Sequence, residues 1–153
     1  MKLLEVINIR NFLAKLELSK FDKETRKVVR KNYVLATKKV TDFEETQKTF
    51  RDKCFEGIDE KLKQKAGGLE QEFEGANAER KAEIEKELLS EEFAPFQQAK
   101  KEFVELIEEE LRKEVEEIEW AKVGEDALMD SFAAADMKFT ASLADELKFM
   151  IKD

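Results

Sequence analysis

Histidine is absent from this 153-residue chain, and cysteine, tryptophan and proline occur once each. Without histidine there is no imidazole base, no Ser-His-Asp or Cys-His arrangement and no Glu-x-x-His di-iron site. A single cysteine excludes an intrachain disulfide and any CxxC centre, which fits a reducing compartment. No apolar run approaches the ~20 residues needed to span a bilayer. The opening stretch is interrupted by Glu5 and Asn8 and lacks the apolar core of a signal peptide. Five glycines and one proline, in a chain whose charged residues reach 42%, predict long solvated helices rather than a β protein. The length suits one domain, or one compact domain with an extended arm.

What is present is charge, and it is unevenly placed. Residues 1–66 hold 17 Lys+Arg against 11 Asp+Glu, net +6. Residues 67–153 hold 11 against 25, net -14, so the chain carries -8. A basic half followed by an acidic half predicts that the two lie side by side, within one chain or between chains.

Apolar spacing divides the chain further. Leu3, Val6, Ile9, Leu13 and Leu16 predict an opening helix over 3–17, with a connection at Leu18–Phe21. Asp22 is placed to cap the next helix. From there Val29, Tyr33, Ala36, Val40, Phe43, Gln47, Phe50 and Cys54 step alternately by 4 and 3, a heptad seam. Ile58 and Leu62 continue it, predicting one basic helix to about residue 65, roughly 65 Å long. Gly67-Gly68 reads as a break, and residues 67–95 as an acidic connector with a short helix over 78–89. Phe96, Ala99, Phe103, Leu106, Ile107 and Leu111 form a second seam over 96–114, whose natural partner is the basic helix in an antiparallel hairpin. Nine acidic residues lie between Glu102 and Glu119. Residues 118–123 and 136–139 read as short extended pieces able to pair as a hairpin, before a last helix capped by Thr140. The expected fold is therefore mostly α: an opening helix, a long antiparallel helical hairpin, and a small C-terminal unit of extended pieces and a final helix.

Two patches, Leu4-Glu5-Val6-Ile7-Asn8-Ile9-Arg10-Asn11-Phe12-Leu13 and Ala141-Ser142-Leu143-Ala144-Asp145-Glu146-Leu147-Lys148-Phe149-Met150-Ile151, carry a resemblance. With the charged hairpin between them, the chain resembles a group of short, uncharacterised helical-hairpin proteins encoded by tailed bacteriophages and prophages. The middle, residues 66–95, is longer and more acidic than in that group, and Lys148 interrupts the closing apolar cluster. The resemblance implies a location in the host cytoplasm or the virion. It carries no activity and no catalytic residue.

Candidate sites are few. Glu105/Glu108, Glu110/Glu114 and Glu114/Glu117 have the spacing of metal ligands on a helix, as in all-α Mg²⁺-dependent nucleotide hydrolases. At this acid content chance alone supplies about eight acid–x–x–acid pairs, so a solvated face is the simpler reading. Arg26, Lys27, Arg30 and Lys31, with Tyr33 among them, form a basic run suited to phosphate, to an acidic protein or to the chain's own acidic helix. The net charge opposes nucleic acid, and no DNA-reading motif is visible. The acidic segment through Glu110, Glu114 and Glu117 has the charge to mimic a phosphate backbone and block a host defence or nucleic-acid enzyme. Trp120 is expected as a lid over the core or an interface anchor. Cys54 and Gln47 fall on the seam, Gln47 able to fix register. Gly67-Gly68 lacks the flanking pattern of a phosphate loop. The expectation is a protein without enzymatic activity or cofactor, acting by protein–protein interaction in virion assembly or as a minor structural component. The long seam favours a homodimer.

Overall fold

The computed structural model describes residues 1–153, and its regular structure is helical throughout. The helices are α1 (Leu3–Ala14), α2 (Lys23–Cys54), α3 (Glu60–Gly75), α4 (Ala78–Leu88), α5 (Ala94–Leu111), α6 (Glu125–Ala134) and α7 (Ala141–Glu146), with 3-10 turns at Leu18–Lys20, Glu91–Phe93 and Lys148–Met150. The protein is mostly α, as its composition predicts. It forms two compact units: residues 1–44 with 111–153, and residues 45–110.

In the first unit the core gathers Leu13, Phe21, Val28, Val29, Val123, Leu128, Phe132, Leu147 and Met150. Phe132 is its centre. Its ring meets Phe21 at 5.5 Å, Phe139 at 5.4 Å and Phe12 at 6.4 Å. The seam of α2 is buried here from Val29 through Ala36 and Val40 to Phe43. These positions are covered by the chain itself, so this stretch needs no second copy to bury it. Alongside runs an extended segment, residues 112–123, antiparallel to α2: Lys39 reaches Glu116, and Asn32 reaches Ala121.

The expected hairpin between residues 118–123 and 136–139 does not form. Val123 pairs instead with Ile151 as a single parallel bridge, its amide donating to the Met150 carbonyl while the Lys152 amide donates to the Val123 carbonyl. Residues 136–139 are consumed in ending α6. Asp136 adopts φ 58°, the Met137 amide reaches back to the Phe132 carbonyl, and the Asp136 amide reaches the Ala133 carbonyl. This is a Schellman closure with aspartate at the left-handed position. The final helix is also shorter than its apolar spacing suggests. Thr140 caps it, accepting from the Leu143 amide, but α7 ends at Glu146 and a 3-10 turn follows.

In the second unit the boundaries differ most from expectation. The basic helix stops at Cys54, giving 32 residues and about 48 Å rather than 65 Å. Gly57, at φ 79°, takes the left-handed turn that lets the chain reverse, and Asp59 then caps α3 by accepting from the Lys61 and Leu62 amides. Gly67 and Gly68 are no break: both lie inside α3. Nor is the stretch that follows a connector, since α3 continues to Gly75 and Asn77 caps α4 directly. Two glycines cost the helix about 2 kcal/mol relative to alanine. The opposing gain is packing: Ala66 is fully buried, and Leu62 and Leu69 pack with Phe93, Phe96 and Phe55. Ion pairs Lys65–Glu92 and Lys100–Glu70 flank that contact. Within this unit the end of α2 and α5 also run antiparallel, with Arg51 over the Phe103 ring at 5.3 Å and Phe55 against Phe96 at 5.4 Å.

Candidate functional site

The basic run of α2 is divided by the helix itself. At 100° per residue, Lys23, Lys27, Arg30, Lys31, Val34 and Lys38 fall on one face, while Arg26 and Tyr33 fall on another. All six on the first face are exposed, and the Val34 side chain at their centre is 65% exposed. None of these cations is held in an ion pair. Lys20, Lys39, Lys152 and the Met1 amine, by contrast, are each held in a pair. The face is about 22 Å long from Lys23 to Lys38.

Arg26 and Tyr33 do not belong to it. The Arg26 guanidinium donates to the carbonyls of Phe21 at 2.8 Å and Ser19 at 3.4 Å, closing the 3-10 turn before α2. Tyr33 is half-buried with the Arg10 guanidinium 6.0 Å from its ring centre. Sequence spacing overlooked Val34, an exposed branched side chain amid four cations. Its signal lies in the same 3.6-residue arithmetic, since it is one turn beyond Arg30 and Lys31.

The acidic candidates are dispersed. The helix carrying them ends at Leu111, so Glu110, Glu114 and Glu117 do not share a helical face. Glu110 lies in the second unit. Glu114 accepts from the Met1 amine at 2.6 Å. That hydrogen bond, and the charge behind it, hold the Glu114 carboxyl below its ordinary range and push the amine up. Glu116 pairs with Lys39 at 3.2 Å. Glu117 and Trp120 meet at a shallow depression of about 320 Å³. Trp120 is half-buried, its ring centre 4.6 Å from that of Phe149. No group of three or more cysteine, aspartate or glutamate side chains converges as a metal-binding set. Cys54 is half-buried, and burial, followed by the charge of Glu102, pushes its thiol up, away from the thiolate a nucleophile needs.

Two polar residues, Asn32 and Asp22, join parts of the first unit that are distant in sequence. Asn32 is fully buried, donating to the Ala121 carbonyl at 3.0 Å and accepting from the Ala121 amide at 2.8 Å. It thereby acts as a strand partner for the extended segment. Asp22 caps α2 through the amides of Glu24 and Thr25, and its second oxygen accepts from the Ser131 hydroxyl at 2.8 Å.

Compared with protein families, curated proteins and solved structures, the chain matches none. No helix is long and apolar enough to cross a membrane.

Proposed function

We propose that the protein is a non-enzymatic binding module that docks an acidic protein surface on the exposed face of α2. The observation that carries this is the unpaired basic face, Lys27, Arg30, Lys31 and Lys38 around Val34, in a chain of net charge -8. An isolated cation on a helix is ordinary. Four around one exposed branched side chain combine a charged rim with an apolar centre, the anatomy of a protein contact. The overall negative charge disfavours a nucleic acid at the same face. By its resemblance to phage and prophage hairpin proteins, the setting we propose is assembly of a virion or a minor structural part in one.

The test compares the wild-type protein with the triple variant Lys27→Glu/Arg30→Glu/Lys31→Glu. Both are used as bait in extract from phage-infected cells, with nuclease treatment and a wash at about 0.5 M salt, which shortens electrostatic range to a few ångströms. Acidic proteins held by the wild type, released by salt and lost in the variant are the expected result. Equal capture by both baits, or capture abolished by nuclease, refutes the reading. Circular dichroism of the variant should match the wild type, because the three side chains make no intramolecular ion pair.

A further inference from the structure

We propose that the groove between α1 and the C-terminal turn binds a small organic cation carrying an apolar body, an arylalkyl or alkyl amine. It lies wholly in the first unit and has a volume of about 880 Å³, within the range of small-molecule sites. Besides Met1, its apolar lining is Ile9, Phe12, Leu147 and Phe149. Leu147 is buried, while the other three are half-exposed to the groove and its surroundings. Phe12 and Phe149 offer ring surfaces on which a cation is favoured.

The charges on the rim are not balanced. Four carboxylates line it, Glu5, Glu114, Asp145 and Glu146, against two cations, Lys2 and the Met1 amine; the amine holds Glu114, and Glu5 accepts from the Lys2 amide at 2.6 Å. Asp145 and Glu146 line the same groove, are exposed and have no ion-pair partner. They also occupy the last two positions of α7, where the helix already presents its carbonyl ends, so their negative charge is unfavourable there. Lys148 and Lys152 line an adjoining depression that Asp145 also borders, and neither lines this groove. A cation entering over the phenylalanines would relieve the two carboxylates while its apolar body covers Ile9, Phe12 and Phe149. An anion of the same shape would meet them unpaired.

The chain contains its own reporter. Trp120, the single tryptophan, packs on Phe149, which lines the groove, so its fluorescence is expected to change when the groove is occupied. Three probes share one body and differ in charge: 3-phenylpropylamine, 3-phenylpropan-1-ol and 3-phenylpropanoate. Each is titrated into the full-length protein, and into Asp145→Asn/Glu146→Gln, to about 10 mM, beyond the weakest affinity of interest. The expected result is saturable binding of the amine about tenfold tighter than the alcohol, with the acid weakest. In the double variant the amine should fall to the level of the alcohol. Three outcomes overturn the proposal: no saturable response to the amine, equal binding of amine and alcohol by the wild type, or an amine preference that survives in the variant. Both substituted side chains are exposed and unpaired, so the variant's fold is preserved, and an unchanged thermal unfolding midpoint verifies that.

Discussion

Asp22 stands at the start of α2 with both carboxylate oxygens in use. The Thr25 hydroxyl and amide facing it, the Ser131 hydroxyl and the Glu24 amide lower its pKa from 3.8 to about 2. Each of these contacts favours the ionised form. The sign of the linkage follows. A carboxyl whose folded pKa lies below its unfolded value adds stability that is present above the unfolded value, pH 3.8, and is lost as pH falls through about 2. Replacing Asp22 with alanine removes the cap, at a cost of about 1 kcal/mol near neutral pH. Asp22→Asn keeps a capping oxygen but has no proton to gain. Denaturant unfolding from pH 7 to pH 2 should therefore show wild type and Asp22→Asn converging between about pH 4 and pH 2. A constant gap across that range would show that the carboxylate's charge adds nothing. Aspartate and a helix start were both visible in the sequence. The Ser131 contact, 109 residues away, was not, because nothing local links the two.

At the scale of the element, α3 shows how packing overrides propensity. Two adjacent glycines are a strong local argument for a turn, since each gives up more backbone freedom on becoming helical than any other residue. The helix forms because Leu62, Ala66 and Leu69 share a face that packs with Phe55, Phe93 and Phe96, while Gly67 and Gly68 occupy the exposed side. A Cβ built on either glycine meets no atom within 4 Å. Gly67→Ala and Gly68→Ala should each raise stability by about 1 kcal/mol, read as a shift in the denaturant midpoint at constant m. A destabilised variant would mean that the glycines serve a conformation other than this helix. The break in the basic segment falls instead at Gly57, where a positive φ makes glycine the residue that fits. Both positions are glycine in the sequence. Only the position of the apolar partners around each decides which one bends the chain.

Across the molecule, the first unit is assembled from the two ends of the chain, and a buried asparagine is among the side chains that join them. Asn32, near the start of α2, satisfies both backbone groups of Ala121. Asn32→Leu keeps the branched shape, with somewhat more bulk, but leaves a buried donor and acceptor unpaired, costing about 2–3 kcal/mol. Hydrogen exchange should report it locally: the Ala121 amide loses protection, and Trp120, one residue before it, shifts its emission to longer wavelength. Unchanged protection at Ala121 would mean that another group holds the extended segment. Sequence alone determined the helical class, the absence of imidazole chemistry and of an intrachain disulfide, the caps at Asp22 and Thr140, the buried first half of the α2 seam and the polarity of its charges. These follow from composition and from periods of 3.6 residues, which are properties of neighbours along the chain. Tertiary structure decided where the long helix stops, that Gly67-Gly68 stays helical, that Val123 pairs with Ile151, and that Arg26 and Tyr33 leave the basic face to Lys27, Arg30, Lys31 and Val34. Those outcomes depend on which apolar surfaces and unpaired backbone groups meet across long sequence separations, and no local pattern encodes such meetings.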